Sequence, residues 1–376
     1  MTSLNGVVVV IRLIISVVVQ RLLALTFGEA GIAKIGQLRN VMNILTSTSS
    51  AGIFNGIVKY TSEHENSPKR LGHLFSTGLL FILFGSILST VVLFFNAEYI
   101  ADRLFGGKTY VEVIRYLSFL PLVIGINRML YGFINGFSDY KKFAKIELGS
   151  YLMAISLLLL GLYYFNLKGV LIAMVLAPIV NALAIAFFFV KRLKTKLKLN
   201  GIKIDTDFIK PMLAFSLMSF ISTVLINYIE IDIRSTITNR IDIDEAGYWT
   251  AMTYISKNYM VFSSSLFTLY VIPKFAKIEA SFAFVKEVLH IYKTLLPLFA
   301  LGMLIIYLFR EQIIHLVYPN FEGMSELFKW QLMGDFVRLA TLVISHQFLA
   351  KKMVWSFVIA QLISLGLFYG LSKYYV

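Results

Sequence analysis

Several charged residues fall inside long apolar stretches of the sequence, where each charge needs a partner or a function. The basic ones outnumber the acidic ones: Arg12, Arg21, Arg39, Arg128, Lys257 and Arg338 stand against Glu147, Glu230, Asp232 and Asp335. A charge inside a membrane helix costs about 2.5–3.5 kcal/mol on insertion scales. Because pairing within the chain cannot neutralise every one of these cations, the surplus is suited to binding an anionic ligand.

Helical spacing groups the polar residues of three apolar stretches into stripes. Residues that recur every three or four positions share one helix face. The three stripes are Ser216, Ser219, Thr223, Asn227, Glu230 and Arg234; then Arg39, Asn43, Thr46 and Ser50; and last Gln331, Asp335, Arg338 and Ser345. Polar stripes on separate helices predict a shared, water-filled cavity. The alternative, for the Ser and Thr members above all, is hydrogen bonding between helices.

We assign roles within this predicted cavity by depth and charge. Arg12, Arg39 and Lys257 are the preferred anion-binding candidates, and Arg21 is the weaker one, because it lies near a helix end where its side chain can reach lipid phosphates. The remaining candidates for the polar lining are Asn43, Asn227, Glu230 and Arg128. Asp335 either takes up a proton or forms an ion pair with Arg338, three residues further along the helix.

The composition identifies the elements that must position these residues. The chain has 376 residues, of which 58% are hydrophobic and only 15% charged, and its mean hydropathy is +0.76. Soluble domains carry about 25% charged residues, so we predict an all-α polytopic membrane protein. Cysteine is absent and the 5 histidines have no paired spacing, so we expect neither a metal nor a cofactor. The net charge of +14 has no nucleic-acid motif beside it, which favours cytoplasmic loops facing anionic lipid over a nucleic-acid partner.

A spanning helix needs about 20 largely apolar residues, and this window predicts eleven spans. They cover residues 4–27, 32–58, 72–95, 113–137, 144–165, 168–190, 209–232, 246–272, 290–309, 325–349 and 353–374. Segments after even-numbered spans carry about twice as many Lys and Arg as the others, which predicts a cytoplasmic N-terminus. We divide the chain into an N-terminal lobe (1–192), a basic linker (193–208) and a C-terminal lobe (209–376).

Four short strings resemble a known family. They are FGEAG at 27–31, QLR at 37–39, AGIFNGIVKY at 51–60 and WQLMGD at 330–335. The chain is similar over nearly its whole length to the Wzx-type flippases of the MATE-like multidrug, oligosaccharidyl-lipid and polysaccharide (MOP) exporter superfamily. Within that superfamily it looks most like the translocases for O antigen and for the lipid III precursor of enterobacterial common antigen.

The resemblance implies two helical lobes around a central cavity and alternating access across the bacterial inner membrane. The substrate implied is an undecaprenyl-diphosphate-linked oligosaccharide, with membrane lipids as surroundings and the polymerase and chain-length regulator of the same pathway as further partners. The diphosphate would then be bound by Arg12, Arg39 and Lys257, and the glycan would face the polar stripe of 216–234. The family usually has twelve spans, so the chain is expected to lack the last one.

Three other functions remain open at this point. A MATE-type ion-coupled multidrug antiporter needs acidic cation sites in its first lobe, and spans 1–4 contain no deep carboxylate. A membrane polymerase or glycosyltransferase usually has a long outer loop with catalytic acids, whereas the longest outer loop here is about 96–112. A scaffold without transport activity would leave the buried arginines without a role. We therefore expect a flippase and not an enzyme.

Overall fold

All regular structure in the described part of the chain is helical. A computed structural model describes residues 2–196, 204–266, 271, 275, 278, 281–350 and 353–376. Helices satisfy every backbone hydrogen bond within one segment, which is what hydrocarbon surroundings require. The prediction of an all-α membrane fold is confirmed.

The helices are numbered here in chain order. They are α1 (Thr2–Ser49), α2 (Phe54–Glu63), α3 (Pro68–Phe95), α4 (Ala97–Phe105), α5 (Val111–Ser118), α6 (Pro121–Gly136), α7 (Tyr140–Phe188), α8 (Val190–Lys196), α9 (Thr206–Ser219), α10 (Ile226–Arg240), α11 (Ile243–Leu266), α12 (Ser281–Leu308), α13 (Arg310–Val317), α14 (Ser325–Ala350) and α15 (Val354–Tyr375). A π-helical turn, Phe220–Leu225, joins α9 to α10.

Six helical stretches of the described residues are long and apolar enough to cross a membrane. They are Val10–Ser49, Pro68–Phe95, Lys141–Phe188, Thr206–Arg240, Phe282–Leu308 and Trp355–Tyr375. A seventh is added if the pair Lys108–Ser118 and Pro121–Gly136, bent by 52°, counts as one span. The predicted number of eleven spans is therefore not confirmed, although the chain crosses the membrane several times.

Each of the two longest helices covers one predicted span and most of the next: α1 ends at Ser49, within the predicted span 32–58, and α7 ends at Phe188, just before the end of the predicted span 168–190. About 20 helical residues cross the ~30 Å hydrocarbon core, so the 48 residues of α1 are enough for two crossings. Each helix is interrupted by one residue with positive φ: Gly28 (φ 60°, ψ −160°) in α1 and Asn166 (φ 51°, ψ −140°) in α7. Glycine adopts this conformation without the steric cost that a Cβ imposes, so the predicted connection at 27–31 is a one-residue break.

Contacts between residues divide the chain into two compact units. The first unit comprises Met1–Ile15 and Lys34–Asp232, and the second comprises Ser16–Ala33 and Ile233–Val376. The division into lobes 1–192 and 209–376 stays a prediction, and these units group residues 209–232 with the first part of the chain. Of the predicted linker 193–208, residues 197–203 lie outside the described residues.

The first unit has its apolar core where α2, α3 and α6 pack together. Ile53, Ile57, Leu74 and Phe133 are fully buried there. The end of α1 enters the same region so closely that its carbonyl groups meet glycines of the neighbouring helices. A Cβ on Gly85 of α3 would lie 2.2 Å from the carbonyl oxygen of Thr48, which no real contact allows.

The second unit is organised around α14. This helix packs against α11 and α12, and the turn that precedes it is anchored by aromatic residues. Tyr318, Phe321 and Phe328 are fully buried, and the rings of Tyr318 and Phe321 lie 5.0 Å apart. This packing positions the polar cluster around Asp335 that is described below.

Candidate functional site

The first unit encloses a cavity of about 600 Å³ between α1, α2, α6 and α7. This volume lies in the range of small-molecule sites. Its wall is formed by Arg12, Met42, Asn43, Thr46, Phe54, Ile124, Asn127, Arg128, Tyr131, Asn135, Phe143, Glu147, Ser150, Tyr151, Ala154, Ala177, Pro178 and Asn181. Two of these residues are arginines and one is a carboxylate, so the charged groups of the wall sum to a net positive charge when all are ionised.

An ion pair joins the two long helices across the cavity. Arg12 of α1 donates to the Glu147 carboxylate of α7. The Arg12 guanidinium also lies over the Tyr151 ring, 5.0 Å from its centroid, and the Tyr151 hydroxyl donates to the Arg12 carbonyl oxygen at 3.1 Å. Tyr151 and Glu147 are four residues apart, so one face of α7 holds Arg12 in place by charge and by stacking.

Arg128 of α6 is the second cation in the wall. Its guanidinium carbon lies 3.7 Å from the centroid of the Phe54 ring. Among the described residues, no carboxylate lies within 4.0 Å of this guanidinium, whereas Arg12 has Glu147. The Phe54 face fixes the plane of the guanidinium and leaves its donors available to a ligand.

Amide and hydroxyl groups complete the polar part of the wall. Asn127 donates to the Pro178 carbonyl oxygen at 2.7 Å, and the Tyr131 hydroxyl donates to Asn181 at 3.0 Å. Asn135 donates to the Tyr131 carbonyl oxygen at 2.9 Å. The first two bonds tie α6 to α7 and the third lies within α6. Together they hold the amides along one wall, where they offer donors and acceptors to hydroxyl-rich ligands.

The stripe of 216–234 mainly faces α1 instead of the cavity. Asn43 donates to Asn227 at 3.1 Å, Asn40 donates to Glu230 at 3.0 Å, and the hydroxyls of Ser47 and Ser219 lie 3.0 Å apart. Ser219, Asn227 and Glu230 thus form a hydrogen-bonded contact between two helices, which is the alternative to a water-filled cavity that such stripes leave open. Of these predicted lining residues, Asn43 lines the cavity, while Asn227 and Glu230 are buried against α1.

The other predicted anion-binding residues lie elsewhere. Arg39 is half-buried on α1 in the first unit and is not part of the cavity wall. Lys257 is exposed on α11 in the second unit. Arg21, also in the second unit, donates to the carbonyl oxygens of His315 and Leu316 at 2.5 and 2.7 Å. A cation at the last turn of a helix satisfies carbonyls that have no partner within the helix, so Arg21 caps α13.

Asp335 lies at the centre of a polar cluster in the second unit. Its carboxylate accepts hydrogen bonds from Ser256 at 2.5 Å, from Gln331 at 3.1 Å and from the Tyr259 hydroxyl. Asp335 is 3% exposed, whereas Arg338 is exposed on the same helix. Within the described residues the carboxylate thus has hydroxyl and amide partners, and the predicted ion pair with Arg338 is not formed.

Part of this site lies on a polar stripe of α6 that is also present in the sequence. Asn127, Tyr131 and Asn135 recur every four residues and form a polar stripe on α6. The apolar residues around them concealed that stripe. Glu147 was recognised as a charge in a span, but its partner Arg12 is 135 positions away, and no spacing rule connects residues at that distance.

Comparisons with known proteins agree with the fold and with the resemblance in sequence. The sequence model of the family described as "Polysaccharide biosynthesis protein" matches residues 2–279. The chain is 27% identical over 351 residues to the lipid III flippase of Escherichia coli (strain K12), which covers 91% of this chain and 83% of the relative. The lipid III flippase of Shigella flexneri matches with the same identity and coverage.

Solved structures share the fold at low sequence identity. One is an inward-facing multidrug resistance MATE family transporter of the MOP superfamily, with a TM-score of 0.67, 17% identity and coverage of 94% of this chain and 82% of that one. Another is a MATE in complex with MaL6, with a TM-score of 0.71, 15% identity and coverage of 98% and 87%. Because the family model spans well over half of the chain, the protein belongs to the polysaccharide biosynthesis protein family, and it shares the fold of the MATE transporters.

Proposed function

We propose that this protein is a flippase that moves a lipid-linked oligosaccharide across the bacterial inner membrane by alternating access, from the cytoplasmic to the periplasmic leaflet. The observation that carries the proposal is the cavity of the first unit, in which two guanidinium groups face one carboxylate. Such a cavity suits a diphosphate, because guanidinium groups bind phosphate oxygens bidentately. The name of the E. coli and Shigella relatives, lipid III flippase, supports the same class of substrate.

The rest of the wall matches the rest of such a substrate. Asn135, Asn181 and Ser150 offer amide and hydroxyl groups to sugars, and Phe143 and Tyr151 offer ring faces. The lipid tail needs no site in the cavity, since hydrocarbon is its preferred surroundings. What a flippase must supply is a path for the charged and hydrated part, which otherwise costs several kcal/mol per buried charge. The protein then acts by binding and releasing its cargo, without catalysing a reaction.

The decisive experiment is deletion of the gene in its host. Loss of a flippase is expected to leave lipid-linked oligosaccharide in the cytoplasmic leaflet, where a membrane-impermeant glycosidase or periodate does not reach it in intact spheroplasts. Re-expression of the chain should restore access from the periplasmic side. Normal periplasmic exposure of the lipid-linked oligosaccharide in the deletion strain would contradict the proposal.

A MATE-type drug antiporter is the second candidate, and one residue favours it. Glu147 places a carboxylate in the cavity of the first unit, which is the kind of group that binds a cationic drug. Arg12 neutralises that carboxylate and Arg128 adds a further positive charge. A wall with a net positive charge repels cations. An export assay with cationic dyes is therefore expected to show no difference between expressing and non-expressing cells.

We also propose that the N-terminus lies in the cytoplasm, which the distribution of basic residues supports. The absence of cysteine allows a clean test with single cysteine variants. A membrane-impermeant maleimide should label Lys108→Cys in intact spheroplasts and Glu63→Cys only after lysis. Both side chains are well exposed, at 72% and 49%, so access does not limit labelling. The reverse pattern would place the N-terminus in the periplasm.

We propose further that Asp335 takes up the proton that couples transport to the proton gradient. The burial of the Asp335 carboxylate and its position at the centre of a polar cluster support this role. Asp335→Asn should then keep the Ser256 and Tyr259 contacts while losing the titratable group. In reconstituted vesicles, we expect a proton gradient to accelerate flipping by the wild type and to leave the variant unchanged. Equal acceleration of both proteins would exclude coupling through Asp335.

The polymerase and the chain-length regulator of the same pathway are proposed as partners on the basis of the resemblance alone. Crosslinking in the host, with the cavity variants as controls for expression, would identify such a contact. Recovery of neither protein would remove them from the proposal without affecting the flippase function.

A further inference from the structure

We propose that Glu147 is a resident counter-ion, which occupies Arg12 until the anionic group of the substrate displaces it and so keeps binding reversible. The inference rests on the proposed function and adds a residue that limits affinity. It follows from the placement of one carboxylate between two guanidinium groups in the wall of the same cavity. Three features of the cavity support this role of Glu147: the charge balance of the wall, the accessibility of the ion pair and the groups around the carboxylate.

The first feature is the charge balance of the cavity. With Glu147 ionised, the two arginines and the carboxylate carry a net charge of one positive unit, and without Glu147 the same wall carries two. The diphosphate diester of a lipid-linked sugar carries about two negative charges at neutral pH, one on each phosphate, so the wall without Glu147 matches it better. Glu147 therefore weakens binding of the very group that the arginines attract.

The second feature is the accessibility of the ion pair. The Arg12 side chain is 39% exposed and the Glu147 side chain 22% exposed. Ion pairs with this access to solvent are worth little, because water solvates the separated charges. An incoming phosphate can thus take over Arg12 at small cost. Arg128, held over Phe54 and with no carboxylate within 4.0 Å among the described residues, provides the first contact before the exchange.

The third feature is the set of groups around Glu147. From α1 it faces Arg12, and from α6 it faces Arg128 and Tyr131, which interact with it electrostatically. On its own helix, Tyr151 holds Arg12 in position. When a phosphate leaves, Glu147 is the one carboxylate in the wall that can take Arg12 back. The ion pair is therefore restored on release, and it lowers the barrier for the anion to leave.

This arrangement has a consequence that a purely attractive site does not have. A transport site must bind its cargo well enough to load it and weakly enough to release it. Removing Glu147 is expected to tighten binding and to slow transport at the same time. A residue that contacts the sugar, or that only tethers α1 to α7, would weaken binding when removed.

The test uses the purified full-length protein in nanodiscs and farnesyl diphosphate as the probe, with binding measured by calorimetry. We expect Glu147→Gln to bind the probe more tightly than the wild type, by roughly two- to tenfold. In cells, the same variant should deliver less surface glycan than the wild type at equal expression. Glu112→Gln is the matched control, because it breaks the ion pair with Lys168 at 2.5 Å on the surface, away from the cavity wall.

Each outcome bears on the inference. Equal or weaker binding by Glu147→Gln overturns the resident counter-ion but leaves the flippase function intact if the wild type binds the probe. No binding by the wild type overturns the proposed function together with the inference. If the Gln variant does not fold, Glu147→Met replaces it: a side chain of similar length also removes the negative charge, and its affinity should likewise exceed that of the wild type.

Discussion

Replacing Arg128 by alanine is expected to abolish flipping while the protein remains folded. In the wall of the cavity, Arg128 is the cation with no carboxylate within 4.0 Å among the described residues, and its guanidinium is held 3.7 Å from the centre of the Phe54 ring. Hydrogen bonds to a charged group contribute about 1.5–3 kcal/mol, so we expect the variant to bind an isoprenyl diphosphate roughly 10- to 150-fold more weakly.

Two further variants show whether the loss of activity comes from the charge of Arg128, from its planar donor group or from the removal of any arginine. Arg128→Lys keeps the charge but loses the planar, bidentate donor group, so its activity should be intermediate. Arg115→Ala makes the same substitution at a side chain that is 55% exposed and pairs with Glu98 at 3.6 Å. It should flip normally. Surface glycan at the wild-type level in cells that carry Arg128→Ala would refute the assignment of this cavity as the diphosphate site.

Gly85→Ala is expected to destabilise the protein strongly for a single added methyl group. The Cβ would lie 2.2 Å from the Thr48 carbonyl oxygen and 3.2 Å from the Ser49 carbonyl oxygen. Both obstacles are backbone atoms, which a rotamer change cannot move. Overpacking of this kind costs about 1–3 kcal/mol, and the end of α1 that carries Asn43 and Thr46 into the cavity would shift with it.

Gly302→Ala is the matched control for this prediction. Gly302 lies within α12, and nothing lies within 4 Å of the position that its Cβ would take. Alanine is favoured over glycine in a helix interior by about 1 kcal/mol. The apparent melting temperature in detergent should therefore fall for Gly85→Ala and stay equal or rise for Gly302→Ala. A fall of similar size for both variants would show that the close approach of α3 to α1 does not limit stability.

The positions of the two arginines show how the structure groups the residues that the sequence predicts for the site. Arg12 and Arg128 were both recognised as charges within spans, because a cation in an apolar window is visible in the sequence. Their roles were ranked by depth and by resemblance, which placed Arg39 and Lys257 above Arg128. In the structure Arg12 and Arg128 lie in the wall of one cavity, while Lys257 belongs to the other unit.

The stripe of 216–234 is the second instructive case. Its spacing identified residues on one helix face, and Asn227, Glu230 and Ser219 do meet one neighbour, α1. Periodicity gives the face of a helix but not the surface that the face meets. Water in a cavity and the side chains of a second helix can both form hydrogen bonds with the same polar groups. The sequence therefore left open whether the stripe would bind sugar or α1.

The sequence by itself determined that the protein is a helical membrane protein, which stretches are apolar enough to span, and to which superfamily it is similar. Composition and local periodicity are enough for these, since hydrocarbon surroundings allow few structures. Only the tertiary structure decided which charges pair. Arg12 and Glu147 are 135 positions apart, and Asn43 and Asn227 are 184 apart. Such contacts depend on the bends of the two long helices at Gly28 and Asn166 and on the rotation of neighbouring helices against one another. No local sequence pattern specifies either.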